Sequence, residues 1–163
     1  MSDKIAETSL FDRDTVYVSD ATSRADVFKT VADDLYKKGH VTADFLKNLN
    51  EREDKYPTGI DLSVVSPEYP NVAIPHTEAE FVKERKVIPI KLKNPIAFNN
   101  MIDPSQKLEV NFLFMILNDD PEGQSNVLAQ IMDFISKTPQ NQLLTFFKSN
   151  TEEAIYSFLQ SKF

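Results

Sequence analysis

The sequence has no cysteine, which excludes disulfides, thiolate nucleophiles and zinc–thiolate centres. Only three glycines occur in 163 residues, too few for a glycine-rich phosphate loop or a dinucleotide-binding fingerprint. Two histidines without spaced carboxylate partners make a poor metal site and argue against a metallohydrolase. Long apolar runs are missing as well. Phe112 to Leu117 is the longest, far too short to cross a bilayer, and no apolar N-terminal stretch of a signal peptide is present, so a cytosolic protein is expected. Cations are outnumbered, 18 lysines and arginines against 25 aspartates and glutamates, for a net charge of −7. That balance disfavours non-specific nucleic-acid binding, which needs phosphate-neutralising cations, and favours a basic protein partner.

What is present suits an ordinary folded domain. A chain of this length, 41% hydrophobic and 26% charged, reads as one domain over residues 1–163 with a substantial core. Met1 to Thr8 is polar and reads as a frayed end. Thr15 to Val18 is β-branched and aromatic, a first strand closed by Ser19-Asp20. A helix capped by Asp20 or Thr22 then runs to about Lys38, with Phe28, Val31, Ala32, Leu35 and Tyr36 on its apolar face and Gly39 ending it. His40 falls just past that end and reads as exposed and structural. Thr42 caps a second helix, with Phe45, Leu46 and Leu49 facing inward.

Asp61 to Asn71 reads as an extended connection. Val87 to Leu92 alternates as a strand does, with Pro89 favouring an edge and Asn94-Pro95 breaking it. Leu108 to Leu117 starts with alternation and becomes wholly apolar, the pattern of a central strand covered on both faces. A turn over Asn118 to Gly123 leads to a helix carrying Leu128, Ile131, Met132 and Ile135. Gln142 to Lys148 and Thr151 to Phe163 form two further amphipathic segments, the last capped by Thr151. Strands alternating with helices predict an α/β fold, a mixed sheet sandwiched by helices.

The chemistry concentrates at Asn71-Val72-Ala73-Ile74-Pro75-His76-Thr77. Val72 to Ile74 reads as a buried strand end, Pro75 cannot donate to a ladder, and His76 is left at a strand-to-loop junction. By local context alone His76 is a surface or capping residue, or a functional imidazole. Upstream, Arg52 sits within Glu51-Arg52-Glu53. It is either a solvated side chain paired with a neighbouring glutamate or a guanidinium whose fork matches phosphate oxygens. Tyr56-Pro57-Thr58-Gly59-Ile60 is a turn, and the Thr58 hydroxyl serves either that turn or a phosphate oxygen.

The pattern from Arg52-Glu53 through Tyr56–Ile60 to Ala73-Ile74-Pro75-His76 resembles the IIA components of the bacterial sugar phosphotransferase system, in the galactitol-type branch of the mannitol/fructose superfamily. The resemblance implies that His76 is the phosphorylated residue, on Nε2, with Arg52 stabilising the phosphate; Thr58, and Thr77 whose hydroxyl lies next to the site, are lesser candidates. It also implies HPr as phosphoryl donor and a cysteine of a IIB component as acceptor; no metal is obligatory where cationic and amide donors surround the phosphoryl oxygens, and no cofactor is expected. Mannitol-type relatives begin a helix with a second histidine where this chain places Gln124. A neutral amide there can donate a hydrogen bond but no proton, and Gln124 is equally well read as a helix-start residue facing solvent. Besides uptake of a sugar alcohol such as galactitol, two other readings stand. One is a regulatory relative that signals through its phosphorylation state. The other is a binding module without phosphotransfer.

Overall fold

The computed structural model describes residues 10–120 and 124–163. The expected frayed segment before Ser9 and the last part of the Asn118–Gly123 turn lie outside the described residues. The strands are β1 (Tyr17–Ser19), β2 (Gly59–Ile60), β3 (Asn71–Ala73), β4 (Lys86–Asn99) and β5 (Lys107–Leu117). The helices are α1 (Arg24–Lys37), α2 (Phe45–Lys55), α3 (Gln124–Lys137), α4 (Gln140–Phe147) and α5 (Glu152–Lys162). The strands form one sheet in the order β1-β4-β5-β3-β2. β4/β5 and β2/β3 are antiparallel, whereas β1/β4 and β3/β5 are parallel. This is the mixed, helix-sandwiched sheet that the alternation of patterns predicts.

The two layers of helix follow from β5. Leu113, Met115 and Leu117 face α1 and α2, where Phe28, Leu35, Phe45 and Leu49 meet them. Phe112, Phe114 and Ile116 face the other way, onto Ile131 of α3, Phe146 of α4 and Ile155 of α5. Every residue from Phe112 to Leu117 is therefore buried, which is why the run is continuously apolar. Phe146 stands 5.1 Å from Phe112 and 5.7 Å from Phe134, ring centre to ring centre, at the middle of this second layer.

Several local expectations give way to packing. α1 is capped by Ser23, whose hydroxyl accepts from the Asp26 N–H, and neither Asp20 nor Thr22 does so. Tyr36 is 53% exposed, off the apolar face. Asp44, not Thr42, occupies the cap position of α2. Thr42 is drawn instead into a bridge-like contact, its N–H donating to the Phe81 carbonyl beside the Val41–Val82 bridge. The Asp61–Asn71 connection is wound: a 3-10 turn at Leu62–Val64 buries Leu62, and Tyr69 is buried too. Gly39 behaves as expected, ending α1 at φ 84°.

Pro89 and Pro95 show how strand prolines are accommodated. β4 is interior, paired with both β1 and β5, so Pro89 is not on an edge strand. Its pairing with β1 begins only at Ile90, however. Val87, two residues earlier on the same side, donates to the Leu10 carbonyl outside the sheet. The missing N–H of Pro89 thus faces a stretch with no ladder to lose. Asn94-Pro95 does not end the strand; the β4/β5 register shifts between Lys91 and Ile96, and the strand continues past this bulge. The far end of β4 then reaches β2, where Gly59 bridges Asn100. A Cβ at Gly59 would stand 2.6 Å from the Asn99 carbonyl oxygen, so only glycine fits there.

Candidate functional site

β3 and β5 run parallel, so their carboxyl ends open at the same side of the sheet, where ligands of α/β sheets gather. Pro75 has no N–H to give, yet its carbonyl accepts from Ile116 at 3.0 Å, and His76 pairs with Ile116 as one last bridge. The backbone of His76 is therefore pinned to the central strand. Its ring turns back so that Nδ1 lies 2.9 Å from the Ile74 carbonyl. A carbonyl only accepts, so Nδ1 carries the proton and Nε2 keeps its lone pair. Burial holds the imidazole below its ordinary value of 6.5; the Ile74 hydrogen bond opposes this, and the positive charge of Arg52 adds to it. The ring is half-buried and neutral at neutral pH, with one fixed tautomer.

Arg52 arrives from the last turn of α2. Its Nη1 lies 3.4 Å from Oε2 of Glu78, and its guanidinium carbon sits 5.0 Å from the centre of the Tyr56 ring. Its Nε is buried and makes no hydrogen bond. An open depression of about 430 Å³ joins Arg52, His76, Thr77, Glu78, Glu80 and Asn118. A larger hollow of about 720 Å³, bounded by Phe134, Lys137 and Phe163, holds no histidine; chemistry and not size marks the site.

The other candidates divide. Thr77 is buried beside His76, its hydroxyl donating to the Glu78 carbonyl at 2.9 Å. Thr58 does not line the depression. Its hydroxyl and its N–H both donate to the carboxylate of Glu53 at 2.8 Å, so it serves the turn. Gln124 is the first residue of α3, but its side chain lies outside what is described. His40 is half-buried rather than exposed, its Nδ1 paired with Glu84. Its N–H donates to the Leu35 carbonyl and its own carbonyl accepts from Lys83, so its role is structural. Among the described residues no cluster of three or more His, Asp or Glu side chains is placed to hold a metal ion, and no helix is long and apolar enough to cross a membrane.

A family model described as phosphoenolpyruvate-dependent sugar phosphotransferase system, EIIA 2, matches residues 9–162. The chain belongs to this EIIA type 2 family. It is 26% identical over 149 residues to the galactitol-specific EIIA component of Escherichia coli K12, covering 86% of this chain and 93% of that one. The mannitol IIA protein of E. coli, 14% identical, superposes with a TM-score of 0.69 over 91% of this chain and 98% of the other. The same E. coli IIA in complex with phosphorylated mannitol IIB, 13% identical, gives a TM-score of 0.67 over 93% and 97%. At such identities these structures establish the fold.

Two features of this candidate site escape local reading. Glu78 stands in a loop two residues past His76 and acquires meaning only because Arg52, 26 residues earlier, is folded beside it. Asn118 follows the apolar run of β5 and looks like a simple turn residue, an Asx turn of which it does form, accepting from the Asp120 N–H at 3.0 Å. The sequence offered one hint of its second face. A polar residue set directly against the end of a fully buried strand is itself buried, at 4% exposure.

Proposed function

We propose that this EIIA protein accepts a phosphoryl group on Nε2 of His76 from HPr and passes it to a IIB component, in the uptake of a sugar alcohol such as galactitol. One observation carries the reading: the Nδ1–H bond to Ile74 commits the other ring nitrogen, with its lone pair, to an open depression beside Arg52. Nε2 attacks phosphorus, the Nε2–P bond forms as the bond from phosphorus to the donor breaks, and the electron pair leaves on the donor. In the second transfer the acceptor's nucleophile attacks phosphorus and Nε2 leaves with its pair. The ring is never protonated at Nδ1 anew, because the Ile74 carbonyl holds that proton throughout.

Arg52 neutralises phosphoryl oxygens by exchanging its contact with Glu78 for the incoming dianion. The depression is shallow enough for one ring to meet two protein surfaces in turn, which a deep pocket would prevent. The galactitol assignment rests on the 26% identical relative, and the IIB acceptor on the mannitol complex.

The test is incubation with phosphoenolpyruvate, enzyme I and HPr. An acid-labile, alkali-stable phosphate on the wild type, absent from His76→Ala, is the expected result. No label on folded wild type would leave a binding module; label surviving in His76→Ala would move the acceptor elsewhere.

A further inference from the structure

We infer that the side-chain amide of Asn118 is a phosphoryl-oxygen donor of the His76 site, working with Arg52; the inference rests on His76 being the phosphoryl acceptor. Asn118 lies two residues beyond Ile116, the β5 residue that pairs with His76, or roughly 6–7 Å further along the strand direction. It lines the same depression as His76 and Arg52. Its Oδ1 is committed to the Asp120 N–H at 3.0 Å. That contact fixes the orientation of the amide and leaves Nδ2 as the free end.

Nδ2 is buried and has no hydrogen-bond partner. Buried donors left unpaired are rare and ask for a reason. Among the described residues, four buried side-chain polar atoms lack a partner: Thr42 Oγ1, Arg52 Nε, Asn118 Nδ2 and Gln142 Oε1. Only the two N–H donors of that set belong to the His76 depression. The depression is also lined by Glu78 and Glu80, yet neither of these two donors is paired with them. Both stay unpaired where a phosphoryl dianion would bring three acceptor oxygens. Donors prepaid in this way act only when the charged group arrives, which is how a site favours the phosphorylated state.

The amide changes no bond: it gives an N–H to an oxygen while the Nε2–P bond forms, and no proton is transferred. Its loss should therefore lower the equilibrium level of phosphorylation against phospho-HPr and leave the nucleophile in place. The expected effect of Asn118→Ala is a drop of roughly tenfold or more in that equilibrium constant, the range of a hydrogen bond to a charged group. Asn118→Asp separates this role from a structural one. It retains the oxygen that accepts from Asp120 but puts a buried anion where the donor was, so a merely structural Asn118 predicts a lower melting temperature with the equilibrium constant of the folded protein unchanged, and a phosphoryl donor predicts a larger loss in that constant than with alanine.

The direct measurement needs no folded variant. In the ¹H–¹⁵N spectrum of wild-type protein, the Asn118 side-chain amide pair should move markedly downfield when the protein is phosphorylated. An amide pair that stays put while the protein is fully labelled would overturn the assignment and leave the relay intact. An equilibrium constant unchanged in Asn118→Asp would overturn it equally. A wild type that takes no label overturns both readings together.

Discussion

Thr58 and Glu53 form a buried pair whose strength can be worked out before it is measured. Both are 3% exposed. The Thr58 hydroxyl lies 2.8 Å from Oε1 and 3.1 Å from Oε2 of Glu53, and the Thr58 N–H reaches Oε2 at 2.8 Å. Thr58→Val keeps the volume and the N–H contact and removes only the hydroxyl donor. A hydrogen bond to a charged acceptor contributes about 1.5–3 kcal/mol, so the loss should be about 2 kcal/mol, or about 4–8 °C in Tm for a domain of this size. Burial holds the Glu53 carboxyl above its ordinary value of 4.5, while the Thr58 bonds and the charge of Arg24 pull it down. The folded protein therefore binds this proton more tightly than the unfolded chain does. The stabilisation from that proton is complete below the ordinary value and is lost as pH rises through the raised one. Removing the hydroxyl raises the carboxyl further, so the variant should suffer more at about pH 8 than at about pH 5. Thermal melts at the two pH values, repeated in a Glu53→Gln background where the loss should shrink to about 1 kcal/mol, complete the cycle. A loss equal in both backgrounds, or independent of pH, would refute the charged-acceptor account.

Phosphoryl acceptance by His76 should hold steady from mildly alkaline pH down to the ordinary histidine value of 6.5 and fall only below it, since burial lowers this imidazole; initial labelling rates against pH check the position of the acid limb. His40→Gln should retain the full label, because His40 pairs with Glu84 away from the depression. Gly59→Ala should lose about 1–3 kcal/mol in denaturant melts, since its Cβ would stand 2.6 Å from a backbone oxygen that no side-chain rotation can move. Phe146→Ala should lose about 3–5 kcal/mol in the same measurement, being fully buried against Phe112 and Phe134.

By itself the sequence determined what local chemistry can determine. The unbroken apolar run of Phe112 to Leu117 required a strand covered on both faces, and it is the centre of the sheet. Pro75 cannot donate to a ladder, and β3 stops at Ala73, two residues short of it, which leaves His76 at a junction. These are consequences of side-chain polarity and backbone chemistry within a few residues. Tertiary structure decided the rest. Glu53 sits in a run of charges that reads as solvated, but α2 turns it inward onto Thr58. Pro89 suits an edge by its chemistry and occupies an interior strand because the pairing of β1 happens to start one residue later. Arg52 meets Glu78 across 26 residues of chain, and Asn118 becomes a buried amide only where β5 ends beside β3. Desolvation and long-range pairing set these outcomes, and both depend on which segments the fold brings together, a quantity that no window of neighbouring residues contains.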